Sequence, residues 1–361
     1  MDKGIKKPIA DIAQPLVTWY KQHERMLPWR ENPSPYRVWV SEIMLQQTRI
    51  EAVLPYFQRF MEALPTIQDL AQADEDVLMK LWEGLGYYSR VRNLQKAARQ
   101  VVKDFGGELP SSYDQLLTLK GIGEYTAGAI ASIAFGKRVA AVDGNVLRVM
   151  ARLLDDDTDV METKHRKQLT AFVNQLVPEG SAGDFNQGIM ELGETICLPN
   201  AMPRCSECPL NEYCAVAGLE RARDLPTRSA AKPRKLENRM IFVVITDEST
   251  PRVLLHKREK GGLLGGMWEL PNQILTDDFQ VQNSLSEWGI PFTEIVSLSS
   301  AKHVFSHVEW HLQGTLVKAK AFTPKTGFQL VSADELEKYA LPTAFRAYSQ
   351  KIPMLLNGED V

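Results

Sequence analysis

The sequence predicts an all-α domain followed by an α+β domain. Three observations carry this reading. The 361 residues exceed what one compact core usually holds. Up to about residue 217, apolar residues recur at three- and four-residue spacing. Beyond residue 236, short runs rich in Val, Ile and Leu replace that spacing.

Each helix of the first domain has its own stripe. Segments 9–22, 36–47, 51–63, 74–81, 93–105, 125–135, 145–153 and 182–197 place apolar residues on one helical face. Gly- and Pro-bearing stretches such as 106–111 separate them. From 219 to 239 the chain carries Arg221, Arg223, Arg228, Lys232, Arg234, Lys235 and Arg239 with two prolines. It reads as an extended basic linker, either lying along a phosphate backbone or serving as a solvated tether. The expected boundaries are therefore 1–217, a linker over 218–235, and 236–361. In the last part, 240–246, 252–257 and 310–318 read as strands, 261–266 as a glycine-rich loop and 333–339 as a short helix.

Composition narrows the class. With 44% hydrophobic and 24% charged residues, the chain is an ordinary globular protein rather than a disordered or collagen-like one. No apolar run approaches the roughly 20 residues that span a bilayer. Residues 1–8 carry charge with no apolar segment behind it, unlike a secretory signal. An intracellular protein with no membrane partner is expected. Net charge is −3; residues 1–235 hold 30 basic and 30 acidic side chains, and the remainder 12 and 15. Charge therefore leaves nucleic acid open as a partner. Cysteine is more telling. Cys197, Cys205, Cys208 and Cys214 fall within 18 residues, and no other cysteine exists. In an intracellular chain such a group reads as metal ligands before disulfides.

Two further segments bear chemistry. In residues 119–127, Gly121 and Gly123 flank one apolar residue and a helix starts at once, a turn that can seat a phosphate or merely punctuate two helices. Asp143 follows an apolar stretch and stands before a new helix, where it serves as a helix cap or as a catalytic carboxylate.

The hairpin, the Gly144-Asn145 pair after Asp143 and the four-cysteine loop resemble the helix-hairpin-helix DNA glycosylases of the endonuclease III superfamily. Pro28-Trp29-Arg30, residues 40–48 and residues 84–90 are similar to the adenine DNA glycosylases within it. The resemblance is dense over residues 9–217 and looser over 236–361. It implies an enzyme that removes adenine mispaired with 8-oxoguanine or guanine from double-stranded DNA, acting as a monomer near the cytoplasmic nucleoid. Glu42 matches the general acid, Asp143 the group that stabilises the sugar cation, and Tyr125 and Asn145 its supports. Arg25, Trp29, Arg30 and Gln187 match the base pocket; Gln47, Thr48, Leu85 and Tyr87 match residues beside the lesion. Gly121 and Gly123 match the phosphate hairpin, with a monovalent or divalent cation there, and Arg204 a phosphate contact. Bifunctional relatives place a Schiff-base lysine where this chain has Tyr125, and a tyrosine cannot form an imine. The resemblance therefore implies a monofunctional glycosylase. A bifunctional pyrimidine glycosylase and lyase, and a damage-binding protein without catalysis, are the alternatives.

The cysteines read C-x7-C-x2-C-x5-C, one residue longer in the first gap than the family pattern. Four thiolates suit a 4Fe–4S cluster or tetrahedral zinc, and the position in the chain implies the cluster. Residues 265–271 are similar to the opening of a Nudix hydrolase, but the glutamate-rich helix that should follow is missing at 280–284. Without those carboxylates no magnesium site forms. A Nudix-like domain that reads 8-oxoguanine is expected, with Ser306 and His307 in the contacting loop.

Overall fold

The computed structural model describes residues 6–230 and 233–358. Residues 1–5, read above for a leader, and Lys232 of the basic stretch lie outside the described residues. The chain forms two compact units, Met1–Gln72 with Ser89–Ala230, and Ala73–Tyr88 with Ala231–Val361.

The helices in chain order are α1 (Ala13–His23), α2 (Pro28–Glu31), α3 (Pro35–Leu45), α4 (Ile50–Ala63), α5 (Ile67–Gln72), α6 (Glu75–Leu81), α7 (Ser89–Asp104), α8 (Tyr113–Leu117), α9 (Glu124–Ala129), α10 (Gly144–Leu154), α11 (Thr163–Leu176) and α12 (Ala182–Thr195). All but α6 build the first unit. Helix α3 starts where Ser34 accepts the Arg37 amide and Pro35 presets φ. Leu16 of α1, Val146 and Met150 of α10, Val173 of α11, and Phe185 and Ile189 of α12 share one core. Their spacing is the period read from the sequence.

Three local differences matter. The 125–135 stripe divides into α9 and a π-helical turn, Ile130–Ala134. The 36–47 stripe ends at Leu45, and Gln47 takes a left-handed φ of 60°. Arg90 holds that end: its Nη1 donates to the carbonyls of Ile43 (2.7 Å), Met44 (3.1 Å) and Gln46 (2.6 Å), which the finished helix leaves open. Helix α11 carried no sequence prediction, because its first turns are basic and its apolar residues begin only at Leu169.

The linker expected over 218–235 is folded in its first part. Glu220–Arg223 is a 3₁₀ turn, and Ala222 and Leu225 are buried with Val216 in a small satellite core. Arg152 Nε donates to the Leu225 carbonyl (3.1 Å), and the Val160 amide donates to Thr227 (3.1 Å). Charge had obscured these few apolar anchors in the sequence. The expected 1–217 boundary differs in one more place, since residues 73–88 group with the second unit. There Leu341 N donates to Glu83 (2.7 Å), and Lys257 pairs with Asp76 (3.3 Å).

The second unit is built on a mixed sheet of seven strands: β1 (Lys235–Thr246), β2 (Val253–Lys257), β3 (Trp268–Glu269), β4 (Asn272–Ile274), β5 (Phe292–Val304), β6 (Val308–Ala319) and β7 (Phe328–Val331). The order along the main path is β3-β2-β1-β6-β5. β1 and β6 run parallel from Lys235↔Val308 to Thr246↔Ala319, and the other pairs are antiparallel. Both faces are covered. Ile241, Val243 and Ile245 face one core with Trp310 and Phe345, while Phe242 and Val244 face another with Leu285. Burial on both sides explains the unbroken apolar run in β1. A helix, α13 (Val281–Trp288), does follow the Nudix-like opening, and Glu287 is its one acidic residue. The expected 333–339 helix is the shorter α14 (Ala333–Leu336), started by a Ser332–Glu335 capping box.

Candidate active site

Helix α3, the start of α9, the start of α10 and one face of α12 enclose a cleft of about 1040 Å³. Glu42 projects into it from α3 and is buried. The Tyr125 hydroxyl donates to Glu42 Oε2 and lies 3.4 Å from the Met190 sulfur. Burial pushes the Glu42 carboxyl up to about 7, against the Tyr125 bond that favours its anion. Burial also holds the Tyr125 phenol well above its usual range, so it stays a donor.

Asp143 occupies the N-cap of α10 and lines the same cleft. Its Oδ1 accepts the Val146 amide (2.8 Å) and its Oδ2 the Asn145 side-chain amide (2.9 Å). Burial raises its pKa, and these donors oppose the rise. Helix cap and cleft carboxylate are thus both true of Asp143. The two carboxyls differ in surroundings: Asp143 sits at a helix N-terminus with two amide donors, whereas Glu42 is buried with a single phenol donor. Asp143 is the one disposed to ionise.

Asn145 Oδ1 accepts from Arg148 Nη2 (2.8 Å), which also donates to the Gly193 carbonyl (2.8 Å). A Cβ on Gly193 would stand 2.7 Å from Asn145 Cβ, so only glycine lets α12 pass there. The segment leading to Asp143 is clamped by fully buried Asn186. Its Nδ2 donates to Ser132 Oγ (2.9 Å) and Val139 O (2.8 Å), and its Oδ1 accepts the Ala141 amide (2.9 Å). Replacing Asn186 with alanine is expected to cost about 2–3 kcal/mol, since it strands buried partners. Urea unfolding at constant m-value measures it.

The wall contributed by α12 is a polar stripe at helical spacing, Gln187, Glu191 and Glu194. Glu191 is buried and takes two guanidiniums, Arg25 Nε and Arg30 Nη2 (2.8 Å). Arg25 Nη2 also pairs with Glu194 (2.5 Å), and Arg30 Nε donates to Gln187 (3.2 Å). Arg30 lies over the Tyr20 ring at 5.5 Å, and Trp29 is buried edge-on to Phe57 at 5.2 Å.

The predicted residues Arg25, Trp29, Arg30, Glu42, Gln47, Thr48, Gly123, Tyr125, Asp143, Asn145 and Gln187 therefore line one cleft. Gly121 has φ 80°, and a Cβ there would meet Asn93 at 2.7 Å. Leu85, buried, and Tyr87, half-exposed with φ 47°, belong to the second unit, as do Ser306 and His307. Arg204 is exposed and bonded to the Thr195 carbonyl and Glu207. Glu191, Glu194 and Asn186 were missed by sequence reasoning. For the two glutamates a signal existed: they continue the Gln187 face at i+4 and i+7.

The four cysteines form no disulfide and line one apolar cavity with Val149, Leu153, Leu192, Ile196 and Leu210. Burial pushes Cys208 up to about 12 and Cys214 up to about 11. Thiolates there call for a cationic partner. Among the described residues no three Cys, His, Asp or Glu side chains are gathered as for a single ion. The donor set, four sulfurs around one cavity, fits a larger iron–sulfur group. Arg152 Nη1 donates to Cys197 Sγ (3.2 Å), and Arg148 Nε to the Cys197 carbonyl (2.9 Å).

Comparison with known proteins agrees with this architecture. Residues 40–178 match the HhH-GPD superfamily of base excision DNA repair proteins, and residues 240–351 match a NUDIX domain. The human protein named adenine DNA glycosylase is 35% identical, over 94% of this chain and 74% of its own. The mouse protein of that name is 36% identical, over 94% and 78%. A solved thermostable thymine-DNA glycosylase superposes with TM-score 0.51 and 30% identity, over 56% of this chain and 93% of that one. No helix among the described residues is long and apolar enough to cross a membrane. Helical cleft, Nudix-type sheet and similarity along nearly the whole chain place this protein in the adenine DNA glycosylase family, as a monofunctional DNA glycosylase of base excision repair.

Proposed function

We propose that the cleft hydrolyses the N-glycosidic bond of adenine paired with 8-oxoguanine, and of adenine paired with guanine. The carrying observation is the pair of carboxyls with opposite surroundings, Glu42 under the Tyr125 hydroxyl and Asp143 under two amide donors. In duplex DNA the bond is inaccessible, so the adenine is flipped out at a cost of a few kcal/mol. Glu42 gives its proton to adenine N7, and the departing base takes the bond electrons. Ionised Asp143 stabilises the resulting oxocarbenium-like sugar. Water then adds to C1′ and its proton returns to Glu42. Gln187, oriented by Arg30, faces the base edge; Gln47 and Thr48 fill the space beside it. Gly121 and Gly123 let the hairpin backbone approach a phosphate, with a cation there, and Arg204 meets another.

Cys197, Cys205, Cys208 and Cys214 would hold a 4Fe–4S cluster, whose bound iron would fix the loop after α12. Purified protein is expected to contain about four irons per chain by elemental analysis. Stoichiometric zinc without iron overturns that assignment.

Discrimination is assigned to the turn between β5 and β6. Phe305 anchors it, at 4.9 Å from the Trp310 ring, and its amide donates to Val308 (2.8 Å). Ser306 and His307 are left exposed. 8-Oxoguanine carries a proton on N7 that guanine lacks, and an acceptor at Ser306 can read it. Replacing Ser306 and His307 with alanine should shrink the affinity preference for A:8-oxoguanine over A:G by roughly ten- to a hundredfold. Competition binding at one salt concentration measures it.

The function itself is tested with duplexes carrying A:8-oxoguanine, A:G and thymine glycol, with and without alkali. Adenine release followed by alkali-dependent strand breakage is the expected result. Strand breakage without alkali on thymine glycol is the outcome of the bifunctional reading.

A further inference from the structure

The base pocket carries more charge than the reaction above uses. Two guanidiniums, Arg25 and Arg30, face two carboxylates, Glu191 and Glu194, along one face of α12. Glu191 is buried and engages both arginines, so it anchors each of them. Glu194 differs. It is 37% exposed, and among the described residues its one ion pair is to an arginine that Glu191 already fixes. A second anchor adds little to placement, yet it changes the charge count. With Glu194 the four side chains sum to zero; without it, the remaining three carry one net positive charge.

We propose that Glu194 is a positioning residue that acts by charge, cancelling the second arginine so that the general acid Glu42 keeps its proton until the base is bound. The inference rests on the adenine-excising mechanism above. The cleft that holds Glu42 is also lined by Arg25 and Arg30, Arg49 and Glu51 at the start of α4, Glu124 and Tyr125 of α9, Asp143 at the cap of α10, Arg166 of α11, and Glu191 and Glu194 of α12. Of these, Tyr125, Asp143, Arg30 and Glu194 weigh on Glu42. Tyr125, as donor, and Arg30 favour the Glu42 anion, whereas Asp143 and Glu194 disfavour it. Glu194 acts in the same sense on Asp143 and Tyr125. Asp143 is needed as an anion, so it is not free to be traded away. Glu194 is the adjustable member of the set.

The sign of the expected effect follows. Glu42 works protonated, so excision falls as pH rises through its pKa. Glu194→Gln keeps an oxygen for Arg25 and removes the charge. The alkaline limb of the single-turnover profile then moves to lower pH. At pH 8 excision should be roughly two- to fivefold slower than wild type, as fits one part-exposed charge acting on a buried acid. The two profiles converge at their acid end. Affinity for a duplex carrying an uncleavable adenine analogue should hold or rise, because the wall has gained positive charge. Glu194→Asp should restore the wild-type limb.

The experiment is the pH profile of single-turnover excision for wild type, Glu194→Gln and Glu194→Asp, with duplex affinity measured in parallel. A limb that shifts down with affinity retained supports the role. An unshifted limb, or an equal loss at every pH, overturns it and leaves Glu194 a structural partner of Arg25. Wild type that releases no adenine is a different result and rejects the mechanism on which the inference rests.

Discussion

Asp143→Asn should fold, bind its duplex and excise about 10³-fold more slowly than wild type in single turnover. Asparagine caps a helix as well as aspartate does, so α10 keeps its start and the Val146 amide its acceptor. What disappears is a negative charge on the cleft wall, needed only while the sugar is cationic. Affinity for an uncleavable duplex should therefore stay within about twofold, and the loss should lie in the chemical step. Near-normal excision by this variant would remove Asp143 from the mechanism.

Glu42→Gln should lose excision by roughly 10²–10⁴-fold and gain stability at the same time. The carboxyl is raised to about 7 by burial, so folding favours its protonated form. That contribution is fully present below the ordinary carboxylate range and is lost as pH rises through about 7. At pH 8 the wild-type fold carries a buried anion, at a cost of up to about 3 kcal/mol. Glutamine removes that cost, so the variant should unfold at higher denaturant than wild type at pH 8. Near pH 5 the two should be alike. The same titration predicts that wild-type excision declines above pH 7, tenfold per unit once Glu42 is ionised. A variant that is inactive but no more stable at pH 8 would mean that Glu42 ionises freely, and so cannot be the acid.

The parts of this molecule that could be read from sequence are those in which one residue's role follows from its immediate neighbours. Helical stripes located most of the first unit because its helices bury one face in a shared core. The cleft lining was legible through short motifs, each carrying its own spacing. Asn186 was not, since a buried asparagine has no sequence mark until its three partners, from residues 132, 139 and 141, are brought to it. Strand β5 was missed for a different reason. It is paired on one side only, to β6, and its apolar residues, Phe292, Ile295, Val296, Leu298, Ala301 and Val304, neither alternate strictly nor become buried. Strand β1 was read only from Met240 onward, because residues 235–239 are polar and gain strand geometry from the ladder with β6. Position 194 carried only its i+7 spacing from Gln187, and a glutamate near a helix end looks the same whether it faces water or an arginine.

The parallel ladder of β1 and β6 has a kinetic meaning. It joins stretches about 70 residues apart in sequence, whereas α8 and α9 meet across the short turn of residues 118–123. Contacts so distant form slowly, because the loop must close before any rung rewards it. Local helices should therefore appear in the fast phase of refolding, and both the β1–β6 ladder and the cleft, whose Arg30–Glu191 pair joins residues 161 apart in sequence, in the slow one. The 305–307 turn sits at the first rung, where the Lys235 amide donates to the His307 carbonyl and Arg234 to that of Phe305. It is among the last pieces to take shape. The cleft waits on closures at least as long, since Tyr125 reaches Glu42 across 83 residues, so on this timetable the ability to cut and the ability to choose arrive together.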